Sequence, residues 1–135
     1  MKARCLCGVT QFEVQLRNHE VAACHCSMCR RQTAGPLMSI DVENINFIDQ
    51  QHLSVFSSSE WGERGFCNMC GTFIFWRSKN HSFANINVFT LEQPPEDLNF
   101  NLEIYVDHQP AFYSFNNQTK KMTEAEVIAL FNSNQ

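Results

Sequence analysis

Seven cysteines in 135 residues carry the chemistry of this chain, and three of them fall within Cys24-His25-Cys26-Ser27-Met28-Cys29. One residue between the first two thiols and two between the second pair let one tight turn aim three sulfurs at a common point, an arrangement that tetrahedral Zn²⁺ accepts. Three protein ligands leave the fourth position to water or a substrate, whereas four close a site that only holds structure. The remaining thiols form Cys5-Leu6-Cys7 and Cys67-Asn68-Met69-Cys70, each followed by a glycine, Gly8 and Gly71, that can turn the chain back without a Cβ penalty. These four make a second, closed site. Two zinc ions per chain are expected, one structural on Cys5, Cys7, Cys67 and Cys70, one open on Cys24, Cys26 and Cys29.

Two plainer uses of cysteine compete with this reading. Buried thiols acting as small apolar residues need no clustering, and clustering at ligand spacing is what the chain shows. A disulfide framework would leave one of seven thiols unpaired, and Met1-Lys2-Ala3-Arg4 leads into Cys5 with no apolar leader, so a reduced, cytoplasmic setting is expected. A net charge of −4, with no basic run beyond Arg30-Arg31 and Lys120-Lys121, excludes a nucleic-acid footprint. No apolar run approaches the roughly 18 residues of a membrane span. At 135 residues the chain is expected to be one domain, 1–135, large enough to hold a core of its own.

The elements that must position these thiols are mostly strands. Val9 to Leu16 alternates apolar and polar residues with period two, the pattern of a half-buried strand. Arg17-Asn18-His19-Glu20 is expected to turn, Val21-Ala22-Ala23 leads into the three-cysteine stretch, and Arg30 to Thr33 completes a helical turn before Gly35-Pro36. Extended segments follow at 37–42, 44–48 and 53–56, then at 72–76 immediately after the second knuckle, at 83–88 and at 102–106. One helix is expected, at the end, where Thr123-Glu124-Ala125-Glu126 is a capping box ahead of Val127, Ile128, Leu130 and Phe131, whose apolar face should dock on the sheet. The sum is a mainly β fold of short, mostly antiparallel strands clipped by zinc knuckles.

Cys5-Leu6-Cys7-Gly8, Cys24-His25-Cys26-x-x-Cys29-Arg30-Arg31 and Arg64-Gly65-Phe66-Cys67-x-x-Cys70-Gly71-Thr72 together resemble the glutathione-dependent formaldehyde-activating enzyme family in order and spacing. The resemblance extends to about residue 106 and implies a β-tent fold, a structural zinc on the four outer cysteines and a catalytic zinc on the inner three. It also implies condensation of formaldehyde with glutathione to S-(hydroxymethyl)glutathione, a carbon–sulfur lyase reaction in reverse. An open zinc suits that chemistry, because a thiol at the vacant position ionises well below the roughly 8.5 of a free cysteine and becomes the nucleophile. Partners are then a small thiol such as glutathione and a small aldehyde. A different class, a zinc-clipped binding module or a thiol-responsive sensor, needs only the four-cysteine clip, and the inner three cysteines weigh against it.

Other residues have both plain and functional readings. Arg30 and Arg31 could grip the carboxylates of a glutathione-like peptide or simply form a solvated face. His25, between two ligands, could be a fourth ligand, a donor behind the ligands or an exposed residue; coordination alongside both neighbours is strained, which favours the last two. Phe73, Phe75, Phe83 and Phe89 are expected in the core, whereas Phe112-Tyr113-Ser114-Phe115 could wall the zinc cleft or lie under the terminal helix. Glu63-Arg64 is a candidate ion pair. Many relatives carry a His-Ile-Trp-like run where this chain has Glu103-Ile104-Tyr105, a change that bears on the substrate if the strand borders the open site.

Overall fold

A computed structural model describes residues 1–133. They gather into two compact units, Met1–His19 with Ser39–Leu98, and Glu20–Met38 with Asn99 onward.

The first unit is antiparallel. It holds β1 (Lys2–Arg4), the start of β2 (Gln11–Cys24), most of β3 (Leu37–Asp49), β4 (Leu53–Ser57), β5 (Gly62–Cys67), β6 (Phe73–Ser78) and β7 (Ala84–Asn87). β1 pairs with β2, and the others run in the order β4-β5-β6-β7-β3. The period-two alternation at the start of β2 is realised: Phe12 and Val14 are buried between exposed Gln11, Glu13 and Gln15. Phe12, Ile40, Ile74, Phe75 and Ile86 are fully enclosed, each contributing about 1.5–3 kcal/mol on leaving water. The Phe47 ring bridges Phe12 and Phe75, at centroid distances of 5.4 and 6.0 Å. Phe89 departs from expectation: it lies in a 3₁₀ turn, Val88–Thr90, and is exposed.

The second unit holds the end of β2, the short helix α1 (Ser27–Thr33), β8 (Asn99–Ile104), β9 (Lys120–Met122) and α2 (Glu124–Ser133). Its strand pairs are parallel rather than antiparallel: β2 pairs with β8, with Cys24 opposite Ile104, and β8 pairs with β9. Parallel neighbours need a long crossover, and between β8 and β9 the chain from Tyr105 to Thr119 supplies it.

Arg17 to Glu20 do not turn. β2 continues through them because each exposed polar side chain finds a partner: Arg17 with Glu43 at 3.2 Å, His19 with Asp97 at 2.8 Å, and Glu20 accepting from Asn101 at 3.1 Å. Likewise the two segments expected at 37–42 and 44–48 are one strand, β3. The capping box of α2 is present, with Glu126 N–H donating to Thr123 Oγ1 at 3.3 Å and Thr123 N–H donating to Glu126 Oε1 at 3.1 Å. Its apolar face does not dock as expected, since no residue of α2 is buried. Val127 and Phe131, one helical turn apart, are half-buried, while Ile128 and Leu130 project from other sides and stay exposed.

Candidate metal centres

The closed site is built where β1 and β5 end. Gly8 and Gly71, at φ 84° and 80°, adopt the left-handed conformation that turns each knuckle back after its second cysteine. The four sulfurs of Cys5, Cys7, Cys67 and Cys70 lie within 4.8 Å of one another. Cys5 Sγ stands 3.7 Å from Cys7 Sγ, and Cys7 Sγ 3.9 Å from Cys67 Sγ. Those separations are far longer than a disulfide and match the roughly 3.8 Å edge of a tetrahedron with Zn–S bonds of about 2.3 Å. The residues therefore fit a zinc ion.

Local hydrogen bonds prepare these thiols. Burial pushes Cys70 up, but the Thr72 hydroxyl, 3.1 Å away, and the N–H groups of Cys7 and Thr72 outweigh it and bring the thiol down to about 5. Cys67 is likewise lowered: its burial is outweighed by the Thr10 hydroxyl and the N–H groups of Cys70 and Met69. Cys7 receives the Val9 N–H, which lowers it, yet desolvation and the neighbouring thiols push it up to about 11. Four thiols this close do not all ionise unless a cation joins them.

The second group is Cys24, Cys26 and Cys29, all buried, with sulfurs again within 4.8 Å of one another. Cys24 closes β2, and Cys26 caps α1, its sulfur accepting the Cys29 N–H at 3.4 Å. Hydrogen bonding with Cys26 and Cys29, then burial, raises the Cys24 thiol far above its ordinary value, the strain that a bound cation relieves. Among the described residues no histidine, aspartate or glutamate joins the three as a fourth ligand.

His25 is neither a ligand nor exposed. It is completely buried, and both ring nitrogens are occupied: Nδ1 by the Tyr113 hydroxyl at 2.7 Å, Nε2 by Glu103 Oε1 at 2.8 Å. Its backbone is equally engaged, N–H to Ile104 O at 3.0 Å and carbonyl to Arg30 Nε at 2.9 Å. Glu103 is 1% exposed, and its second oxygen accepts from the Thr119 hydroxyl with Lys121 Nζ at 3.6 Å. Burial pushes its carboxyl up, but the Thr119 and His25 hydrogen bonds and the Lys121 charge hold it below the usual carboxylate range. Tyr105, half-buried at φ 57°, follows Ile104, the partner of Cys24; burial first, then the charges of Cys24, Cys26, Glu124 and Cys29, push its phenol up to about 12.

With this geometry in view, the glutathione-dependent formaldehyde-activating enzyme model matches residues 1–108. The chain belongs to that family. Its mainly β architecture with cysteine knuckles is the family's β-tent fold. An uncharacterized lyase of Schizosaccharomyces pombe is 28% identical over 131 residues, covering 94% of this chain and 93% of that protein. The crystal structure of a Rhodobacter sphaeroides protein superposes with a TM-score of 0.61 at 25% identity, over 76% of this chain and 99% of the other. No described helix of this family member is long and apolar enough to cross a membrane.

Both cysteine groups expected from spacing are assembled as expected. Arg30 is half-buried with its Nε committed to the His25 carbonyl, and Arg31 is exposed on α1. Glu63 and Arg64 are not an ion pair, because neighbours on a strand face opposite sides: Glu63 pairs with Arg77 at 2.7 Å, and Arg64 lies over the Phe73 ring at 5.8 Å. Of the late aromatic run, Tyr113 and Phe115 pack on His25, at ring centroid distances of 5.5 and 6.0 Å, while Phe112 is exposed. Thr119 and Lys121 carried no sequence signal, since isolated polar residues near a strand end read as surface.

Proposed function

We propose that this chain is a zinc-dependent carbon–sulfur lyase, run reversibly as a synthase, acting on adducts of a small thiol such as glutathione with formaldehyde or a related aldehyde. The observation that supports it is a group of three buried cysteines that no fourth protein ligand joins among the described residues, in a chain that also assembles a closed four-cysteine group. In this reading Cys24, Cys26 and Cys29 hold the catalytic ion and Cys5, Cys7, Cys67 and Cys70 the structural one. Bound zinc supplies one thing, stabilisation of the thiolate form of an incoming thiol near neutral pH.

The protein's own groups do the rest. The three cysteines fix the direction from which the thiol arrives. Tyr105, next after Ile104, which pairs with Cys24, carries a phenol that is protonated at neutral pH and would donate a hydrogen bond to the oxygen that develops negative charge as the carbon–sulfur bond forms. Arg31, and the part of the Arg30 guanidinium not committed to His25, offer charge for a carboxylate of the thiol. Glu103 is enclosed with both oxygens engaged, so it acts on His25 rather than on the substrate. We take residues 1–135 as one functional domain working in a reduced, cytoplasmic setting where the seven thiols stay available. A non-catalytic binding module would leave the three inner cysteines without a role.

The test is exchange between free formaldehyde, glutathione and their adduct, followed by NMR on zinc-loaded protein. Faster exchange than in buffer, absent from Cys26→Ser, is expected. Exchange unchanged by fully loaded protein overturns the reading.

A further inference from the structure

The three-cysteine centre has an unusual support. His25 sits at the midpoint of the ligand run, and all four of its polar groups are tied: N–H to Ile104, C=O to Arg30, Nδ1 to Tyr113 and Nε2 to Glu103. With the Nε2 proton donated to the carboxylate, Nδ1 is left to accept the Tyr113 O–H. Glu103 is itself anchored by Thr119 and lies near Lys121, so the chain of contacts reaches β9. The residue that stands between two ligands is thus pinned from β8, from the crossover and from α1.

We propose that Glu103 is a positioning residue for the metal centre: acting through His25, it holds the Cys24–Cys26 backbone so that three sulfurs converge before an ion arrives and the imidazole stays out of the ligand set. This rests on reading Cys24, Cys26 and Cys29 as a metal centre, and not on any particular substrate. The physical ground is that ordering the ligand loop before binding removes a cost otherwise taken from metal affinity. Groups that orient metal ligands from behind typically carry about 10- to 100-fold in affinity or activity. A helical turn as short as α1 is too small to fix the loop alone, whereas a buried imidazole–carboxylate pair with both partners satisfied is rigid.

The experiment is cobalt(II) binding to the whole chain, titrated against a competing chelator and read by thiolate-to-cobalt charge transfer, for wild type, Glu103→Ala and Glu103→Gln. Wild type should bind two ions. Glu103→Ala should weaken one of them about 10- to 100-fold while the other keeps its affinity and spectrum. Glu103→Gln, which retains an acceptor for Nε2–H, should recover toward wild type. Unchanged affinity in Glu103→Ala, equal weakening of both sites, or Glu103→Gln no better than alanine would each overturn the proposal. Should Glu103→Ala fail to fold, Tyr113→Phe removes only the hydroxyl on Nδ1 and should weaken the same single site, an unchanged affinity counting against the proposal. Addition of 2-mercaptoethanol separates the two readings: a cobalt spectrum that ignores the thiol counts against thiol activation, while the affinity ratio still decides the role of Glu103.

Discussion

At the scale of single residues, the two cysteine groups should fail differently. Cys26→Ser removes one of three sulfurs joined over a few residues, so it should abolish adduct exchange while the first unit keeps its unfolding midpoint. Cys70→Ser opens a clip between segments about sixty residues apart, as between Cys7 and Cys67, and a cross-link of that span is worth about 4 kcal/mol by the chain-entropy argument. Equal losses of thermal stability in the two variants would remove the distinction between a structural and an open site. Glu63 provides a pH-dependent case. Its hydrogen bond from Arg77 holds the carboxyl below the usual carboxylate range, with burial opposing. A depressed folded-state pKa means stability that is present above the unfolded value and lost as pH falls through the folded one. Glu63→Gln should therefore flatten the acid limb of the stability profile below about pH 4.5, which denaturant titrations at several pH values would check.

Elements show how much the sequence disclosed. Strands whose apolar residues alternate, such as the start of β2, and the box ahead of α2 were legible because local pattern decides them. The continuation of β2 through Arg17 to Glu20 was not, since four polar residues resemble a turn until their partners, tens of residues away, are known. The partner of Glu103 was hidden for the same reason: its bearing on the site runs through His25, 78 positions earlier. The parallel pairing of β8 with β9 left no trace, because three residues of β9, Lys120–Met122, are too few to show a period. Two expectations follow at this scale. In β5 a Cβ on Gly65 would run into the Phe75 ring, so Gly65→Ala should cost about 1–3 kcal/mol through overpacking, visible as a lowered denaturation midpoint. Thr123→Ala should remove about 1 kcal/mol of capping. Because no α2 residue is buried, that loss should appear as faster amide exchange within α2 and not in the global midpoint.

Across the whole molecule, the thiols divide the labour that a small fold usually gives to its core. The first unit has enclosed aromatics and aliphatics of its own, so metal removal should loosen it without erasing its strands. In the second unit the enclosed side chains include Cys24, Cys26, Cys29, His25 and Glu103, groups that fill space only when their charges and hydrogen bonds are satisfied. Stripping both ions with a chelator should therefore lower the first unit's unfolding midpoint through its lost clip, and in the second unit should speed amide exchange chiefly at the end of β2 and in α1. Exchange that speeds uniformly across both units would contradict that expectation.

The support around His25 also imposes an order of events during synthesis. Cys24, Cys26 and Cys29 leave the ribosome almost together, whereas Glu103 and Tyr113 follow 78 and 88 residues behind His25. The nascent chain can thus meet an ion at its open centre long before the groups that shape that centre exist, and long before Cys67 and Cys70 complete the closed one. If Glu103 acts as proposed, a metal captured early would be held loosely and would become committed only as the last quarter of the chain arrives.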